Sequence, residues 1–185
     1  NDLETVGNAQ VSTAQKKFGT GSLYFDGTGD YLKAPSSSLY SFGTGDFTIE
    51  CWIYLPSTPS GSYACILDTR TAGGTSSNSI LFAVNSGLGI TVDPGISTTG
   101  NLTTNTWYHL ALCQASGVMR AFVNGSVVAS YTNTQNRTTT GCKIGEVVDA
   151  AHPALNGYID DLRITKGYAR YTANFTAPTT AFPTY

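Results

Sequence analysis

Short runs of alternating apolar and polar residues, separated by turn residues, extend along almost the whole chain. A period of two is typical of β-strands, because successive side chains point to opposite faces of a sheet. No long segment has the period of an amphipathic helix. The dipeptide Asn124-Gly125 lies between two such runs and predicts a type I′ hairpin, since both positions of that turn need positive φ. The sequence therefore predicts an all-β fold of two packed antiparallel sheets.

The pattern predicts strands at Tyr31–Lys33, Phe47–Leu55, Ala64–Asp68, Ser79–Val84, Leu88–Val92, Tyr108–Gln114, Met119–Val123, Ser126–Tyr131, Cys142–Gly145 and Gly157–Thr165.

Composition narrows the class of protein. The chain has 185 residues, 41% of them hydrophobic, which is enough for one domain with its own core. Only 12% of residues are charged and the net charge is -2, so no basic cluster is available for nucleic acid or anionic membrane. No apolar run is long enough to span a bilayer, and the N-terminus lacks a signal-peptide pattern. Because the chain begins with Asn1, we expect a processed product or part of a longer polypeptide.

Four cysteines, Cys51, Cys65, Cys113 and Cys142, lie in or beside apolar runs. They are too far apart for a zinc site built from close Cys pairs. We expect buried free thiols, because free Cys is among the most buried residue types. Disulfides are the alternative, and the sequence cannot rank their connectivities.

Two distant segments combine a strand pattern with aspartates. In the first, Leu23 and Phe25 alternate with polar neighbours and lead into a turn that contains Asp26 and Asp30. In the second, strict alternation defines two faces, one with Tyr158, Asp160, Leu162 and Ile164 and the other with Ile159, Asp161 and Arg163. The Asp160 carboxylate would then lie on an apolar face, where it needs a counter-charge, hydrogen bonds or a metal.

Five sequence motifs occur in a characteristic order along the chain: Gly21–Leu32, Phe47–Tyr54, Trp107–Leu112, Arg120–Gly125 and Gly157–Ile164. Together they resemble the laminin-G-like branch of the concanavalin A-like lectin/glucanase superfamily. The resemblance runs from about Phe18 to about Ile164. It implies a jelly-roll sandwich, which we place at residues 1–166.

The closing stretch, residues 167–185, differs in composition, with Thr, Ala, Pro and spaced aromatic residues. From Ile164 to Pro178 it resembles the variant found in tail, fibre and other virion proteins of bacteriophages. Pro178 and Pro183 disfavour a central strand, so we expect an extended segment whose aromatic residues pack on the sandwich or on a neighbouring subunit. A linker towards the rest of a longer protein is the alternative.

The family resemblance implies a structural calcium ion between the early turn and the late strand. Its ligands would be Asp26 and Asp30 in the turn, with Asp160 and Asp161 in the strand, since Ca²⁺ prefers oxygen ligands. In the alternative, Asp26 caps its turn and Asp160 accepts hydrogen bonds from backbone amides across the sheet.

Sugar binding needs aromatic rings bordered by polar groups. The candidates are Trp52, Tyr54, Arg70, Arg120 and Tyr131, with Trp107 considered and assigned to the core. If Ile49, Cys51 and Ile53 face the core, then Trp52 and Tyr54 look outward, unless loops cover them. The polar loops Thr69–Asn78, Asp93–Asn105 and Asn133–Thr140 offer another contact surface.

Catalysis has weak support in the sequence. A glycosidase on this sandwich would need two carboxylates flanking a sugar bond, but the three glutamates form no cluster. We interpret Glu50 as a solvated sheet residue, His109 as structural and His152 as part of a loop.

The leading hypothesis is a non-enzymatic, lectin-like module on a phage virion, in a tail fibre or capsid appendage, that attaches to host-surface polysaccharide. Its partners would be a glycan and other virion subunits, in a homo-oligomer outside the cell. The alternatives are a structural virion protein without a glycan site and, more distantly, a glycoside-active enzyme.

Overall fold

The computed structural model describes residues 2–71, 78–148 and 154–183. These residues form fourteen strands: β1 Glu4–Val6, β2 Gln10–Ser12, β3 Ser22–Asp26, β4 Tyr31–Lys33, β5 Phe47–Tyr54, β6 Tyr63–Asp68, β7 Leu81–Asn85, β8 Ile90–Asp93, β9 Ile96–Ser97, β10 Trp107–Ala115, β11 Val118–Val123, β12 Ser126–Thr132, β13 Lys143–Ile144 and β14 Asn156–Lys166. A short 3-10 helix, Ser38–Tyr40, lies between β4 and β5.

The strands form two seven-stranded sheets in which every pairing is antiparallel. The first sheet has the order β1-β4-β13-β6-β7-β8-β9, and the second has the order β12-β11-β10-β5-β14-β3-β2. A large apolar cluster with residues from both sheets fills the space between them. The predicted all-β sandwich of two antiparallel sheets is confirmed.

Strand β5 lies at the centre of the second sheet, between β10 and β14. Its alternation is the predicted one, because Ile49, Cys51 and Ile53 belong to the core between the sheets. Glu50 and Trp52 point to the other side, which we call the outer face of the second sheet. These two side chains are nevertheless buried, so other parts of the chain cover this face.

The closing stretch of the chain supplies much of this cover. After β14 ends at Lys166, residues 167–183 contain no strand, and we call them the C-terminal segment. Its Tyr171 and Phe175 rings stack at 3.5 Å with 4° between their planes. Both pack against Phe122 on the outer face. Tyr171 and Phe175 therefore pack on their own sandwich, whereas Tyr168 is 61% exposed.

Strand β14 departs from the strict alternation predicted for it. Asp160 pairs with Trp52 and Arg163 pairs with Glu50, so two residues of β14 lie opposite one residue of β5. This irregularity is a β-bulge. Asp161, at the bulge, has a φ of 50°, a left-handed conformation that Asp adopts more readily than most residues.

The bulge changes which side chains share a face. Leu162 and Ile164 pack against the core, whereas Arg163 and Asp160 bond to groups on the outer face. The prediction that Tyr158 and Asp160 share a face with Leu162 and Ile164 is wrong, because the extra residue shifts the alternation by one position.

Other local predictions have clear outcomes. The hairpin is confirmed, since Asn124 and Gly125 have φ values of 48° and 83° between β11 and β12. The cysteines are free and buried, as expected. The sequence pattern does not predict β1, β2 or β9, which are very short and lie at or near sheet edges. His152 and residues 72–77 of the predicted loop fall outside the described residues.

Within the described ranges, no helix has the length and apolar character needed to cross a membrane.

Candidate functional site

Four aromatic rings form a row across the outer face of the second sheet. Tyr24, Tyr158, Tyr54 and Trp107 occupy directly paired positions on β3, β14, β5 and β10, which are neighbouring strands. All four side chains are partly exposed. We call these four residues the aromatic row.

Neighbouring rings in the row are in contact. Their centroids are 4.9 Å apart for Tyr24 and Tyr158, 5.8 Å for Tyr158 and Tyr54, and 5.6 Å for Tyr54 and Trp107. These separations lie in the range of favourable aromatic pairs. With strands ~4.8 Å apart, the row spans roughly 14 Å. It is a strip of aromatic surface whose rings restrict one another's rotation.

The Tyr158 hydroxyl, between Tyr24 and Tyr54 in the row, is neutral at physiological pH. Burial raises the pKa of Tyr158, and the nearby Tyr24 and Tyr54 phenols raise it further. A tyrosine already has an ordinary pKa of about 10. The Tyr158 hydroxyl therefore keeps its proton and can both donate and accept a hydrogen bond.

One long side of the row is closed by the segment Lys17–Phe18. The segment is held by Asp160, whose Oδ2 accepts hydrogen bonds from the backbone N–H groups of Lys17 at 2.9 Å and Phe18 at 3.0 Å. It covers Trp52, with Lys17 Nζ 3.9 Å from the ring centroid and the Phe18 ring edge-on at 5.8 Å. This segment forms a wall beside the row.

The other long side carries amide side chains. Asn156 is exposed and precedes Tyr158 by two residues on β14, so its side chain lies on the same face as the Tyr158 ring. Asn105 is also exposed, and its Oδ1 accepts a hydrogen bond from the Tyr54 hydroxyl at 3.2 Å. Gln10 is exposed on the edge strand β2, where it pairs with Tyr24 and so lies in line with the row. Amides donate and accept hydrogen bonds, which suits a ligand rich in hydroxyl groups.

A buried polar cluster lies beneath the C-terminal segment, on the part of the outer face beyond the wall. Glu50 is fully buried, and its Oε1 accepts hydrogen bonds from Arg163 Nε at 2.9 Å and Nη2 at 2.7 Å. Arg170 Nε lies 3.6 Å from the same oxygen. Glu50 Oε2 accepts from the Tyr171 hydroxyl at 2.9 Å and lies 3.2 Å from His109 Nε2. The prediction of Glu50 as a solvated residue is wrong, because the C-terminal segment covers it.

This cluster keeps the carboxylate ionised. Burial alone raises the pKa of Glu50, but hydrogen bonds from His109, Arg163 and Tyr171 and the charge of Arg163 lower it by more, so the pKa lies below its usual value. Burial raises the pKa of Tyr171, and the negative charge of Glu50 raises it further. The arrangement ties the C-terminal segment to the sheet and leaves both carboxylate oxygens engaged.

The two aspartates of the early turn bind backbone amides. Asp30 is fully buried and accepts hydrogen bonds from the N–H groups of Asn8 at 2.6 Å and Asp26 at 2.7 Å. Asp26 Oδ1 accepts from the N–H of Thr28 at 2.9 Å, which closes the turn.

The two aspartates of β14 are used in the same way. Asp160 holds the wall segment, and Asp161 Oδ2 accepts a hydrogen bond from the Phe182 N–H at 2.6 Å. Among the described residues, no group of three or more His, Cys, Asp or Glu side chains is arranged to hold a metal ion. These contacts correspond to the alternative in which aspartates bond to backbone amides. Calcium at these four residues stays a prediction from the family resemblance.

The remaining sugar-binding candidates lie outside the row. The Tyr131 hydroxyl donates to the carbonyl of Pro94 at 2.6 Å, and the ring packs against the core. Arg70 forms an ion pair with Asp68 at the end of β6, in the first sheet. Arg120 is partly buried on β11 of the second sheet. Of the five ligand-binding candidates, Tyr54 alone belongs to the aromatic row.

The predictions for the two tryptophans have different outcomes. Trp52 is on the outer face, as predicted, but it is only 5% exposed beneath the wall, as in the alternative where other chain segments cover it. Trp107 was expected in the core and is instead a partly exposed member of the row, so that expectation is wrong. Its ring is held on the outer face by contact with Tyr54.

Sequence reasoning did not select Tyr24 and Tyr158 as ligand-binding residues. Tyr24 alternates with the core residues Leu23 and Phe25, and this local signal marks it as outward-facing. For Tyr158 the strict alternation is misleading, because the bulge separates it from Leu162 and Ile164. Their alignment with Tyr54 depends on strand order and register, which the local pattern does not contain.

Solved structures provide relatives of the fold. Domain 4 of AbnA, a GH43 extracellular arabinanase from Geobacillus stearothermophilus in complex with arabinotriose, has a TM-score of 0.60 and 16% identity, with 91% of this chain and 82% of that chain covered. The botulinum neurotoxin serotype D binding domain has a TM-score of 0.61 and 16% identity, covering 91% and 43%. Trypanosoma rangeli sialidase has a TM-score of 0.62 and 17% identity, covering 85% and 26%. The chain thus spans less than half of the last two proteins, and these identities show a shared fold alone.

No curated protein sequence matches this chain. A laminin G family model, described as the concanavalin A-like lectin/glucanases superfamily, matches residues 26–170. This match covers well over half of the 185 residues and contains strands β4 to β14. The chain therefore belongs to the concanavalin A-like lectin/glucanases superfamily.

Proposed function

We propose that this domain is a non-enzymatic carbohydrate-binding module whose binding surface is the aromatic row. The observation that carries the proposal is the alignment of Tyr24, Tyr158, Tyr54 and Trp107 on four adjacent strands, with every ring partly exposed. The apolar faces of sugar rings pack on aromatic rings, while surrounding polar groups bind hydroxyls. The arabinotriose named with the arabinanase domain supports a carbohydrate ligand for a domain of this shape.

A non-enzymatic role is supported by the state of Glu50. This carboxylate is enclosed by four partners and covered by the C-terminal segment, whereas a glycosidase needs two carboxylates that reach a sugar bond. The row itself contributes phenol and indole groups, which suit binding.

Display on a phage virion, outside the cell and in several copies, is the finer part of the proposal. Its support is the likeness of residues 164–178 to the ending found in phage tail and fibre proteins. Several copies would strengthen attachment to host-surface polysaccharide, because a shallow site binds weakly and linked sites gain avidity. A purely structural virion role is the second candidate, but Tyr171 and Phe175, which would serve it, pack on their own sheet.

The test is binding of the isolated chain to immobilised polysaccharides. The panel contains linear arabinan, galactan, mannan, β-glucan and bacterial surface polysaccharides, each with calcium and with chelator. We expect saturable binding to a subset. Loss of binding in chelator would support the calcium prediction, and retention would argue against a calcium requirement.

Variants locate the site. Tyr54→Ala and the exposed Asn156→Ala should each weaken binding, the first by about tenfold, which corresponds to ~1.4 kcal/mol. Tyr168→Ala is the matched control, because Tyr168 is 61% exposed and lies at the far end of the β5 strand from Tyr54. Equal loss in the control, or no binding by the wild-type chain, would refute the proposal and favour the structural role.

A further inference from the structure

We infer that the aromatic row recognises the interior of an extended, uncharged glycan chain, rather than a chain end or an acidic sugar. This inference rests on the proposed carbohydrate-binding function. It adds the ligand class and the direction in which the ligand lies on the domain.

The direction follows from the strand register. Each of the four rings belongs to a different strand and pairs with its neighbour, so the row runs across the strands. A ligand that contacts Tyr24 and Trp107 together must reach roughly 14 Å at a strand spacing of ~4.8 Å. A single sugar ring cannot do so, whereas an extended chain of several rings can.

The row is open at its Tyr24 end. The next strand, β2, is the edge of the sheet, and its Gln10 is exposed beside Tyr24. The wall formed by Lys17–Phe18 lies along one side, next to Trp52, and does not cap this end. A site for a chain end must enclose that end, whereas the open Tyr24 end allows the glycan to continue past the edge of the sheet.

The charges beside the row disfavour an acidic ligand. Asp160 follows Tyr158 by two residues and lies on the side of the wall. Asp26 follows Tyr24 by two residues and lies on the side of the amide side chains. On the wall, Lys17 Nζ is placed over the Trp52 ring, and the exposed Lys16 precedes it in the chain. The Lys17 charge is thus engaged beside the row, while a sugar carboxylate on the row would lie near the two aspartates, and like charges at an interface reduce affinity.

The first experiment measures the effect of ligand length by titration calorimetry. For every neutral polysaccharide that binds in the panel, oligosaccharides of one to six rings are prepared from it. We expect Kd to fall by about tenfold or more between two and four rings and then to level off. Equal affinity for the monosaccharide and the tetrasaccharide would overturn interior recognition while leaving carbohydrate binding intact.

The second experiment extends the row without disturbing the fold. Gln10→Tyr adds a fifth ring beside Tyr24 on an exposed edge strand, where aromatic residues are favoured. The gain in affinity should then continue for one more sugar ring than in wild type. Val11→Tyr is the control, since Val11 pairs with Leu23 on the opposite face and is 72% exposed. An unchanged length dependence in Gln10→Tyr would contradict the proposed direction.

The third experiment tests the effect of ligand charge with one polysaccharide in two forms, the acidic polygalacturonate and its neutral methyl ester. We expect the neutral ester to bind more tightly, or to bind when the acid does not. Preference for the acid would overturn the neutral-ligand inference. If neither form and no polysaccharide in the panel binds, the proposed function fails along with the inference.

Discussion

Arg163 donates two hydrogen bonds to one carboxylate oxygen of Glu50, from Nε at 2.9 Å and from Nη2 at 2.7 Å. The two residues pair across β14 and β5 at the point where a bulge has shifted the register. Arg163 also stacks on Phe182 at 3.9 Å. The pair thus links the centre of the second sheet to the C-terminal segment above it.

Replacing the buried carboxylate should destabilise the domain. Glu50→Gln keeps the size of the side chain but leaves Arg163 without its counter-charge, and breaking a buried ion pair costs about 3–5 kcal/mol. Urea unfolding measures the difference. Glu4→Gln is the control, since Glu4 is exposed on β1 and should cost little. Equal stability of the two variants would contradict the structural role assigned to Glu50.

The same carboxylate should make stability depend on pH. Because the folded-state pKa of Glu50 is lowered, its contribution is present above the unfolded value of about 4.3 and is lost as pH falls through the folded value. The wild type should therefore lose more stability on acidification than Glu50→Gln does. His109, Arg163, Arg170 and Tyr171 face the carboxylate in both proteins.

Unfolding at a series of pH values checks this difference. Asp161 has a pKa raised mainly by burial and acts in the opposite direction; the Glu50 charge is the smallest of its causes, so its contribution is nearly the same in both proteins. Parallel pH profiles for the wild type and the variant would show that Glu50 does not titrate as described.

Loosening the C-terminal segment should expose a thiol. Phe175→Ala removes a ring that packs against Phe122 and stacks on Tyr171, at a cost of about 2–3 kcal/mol for a partly buried ring. Cys113 lies beneath this cover, and burial raises its pKa to about 11, so the native thiol reacts slowly. Alkylation followed by mass spectrometry should find faster labelling at Cys113 in the variant, with Tyr168→Ala as the control. Unchanged labelling would mean that the segment does not protect this thiol.

A glycine at the hairpin also positions this segment. In Gly125→Ala the added methyl group would overlap the carbonyl oxygen of Phe175, at a φ of 83°. Gly19→Ala is the matched control, because Gly19 has a φ of 60° but no atom within 4 Å of the added carbon. Each variant carries a left-handed backbone cost of about 1–2 kcal/mol, so the excess in Gly125→Ala reports the steric overlap. Comparable melting temperatures would argue against close packing of Phe175 on the hairpin.

Local pattern was sufficient for several features. The period-two alternation placed Ile49, Cys51 and Ile53 on one face of β5, because neighbouring side chains of a strand must point to opposite faces, and the structure shows that this face enters the core. Asn124 and Gly125 specified their turn, since these residue types adopt positive φ readily. The same logic failed in β14, where the pairing at Asp160 and Arg163 accommodates an extra residue that no local pattern marks.

The sequence by itself determined the class of fold and the main strands and separated the two faces of β5, because these depend on contacts within a few residues. Tertiary structure decided that Glu50 is buried, since its cover comes from Tyr171, which is distant along the chain. It also decided that Tyr24 and Trp107 belong to one surface. Their alignment requires the order and register of four strands, which are selected by hydrogen-bond pairing and core packing over the whole domain.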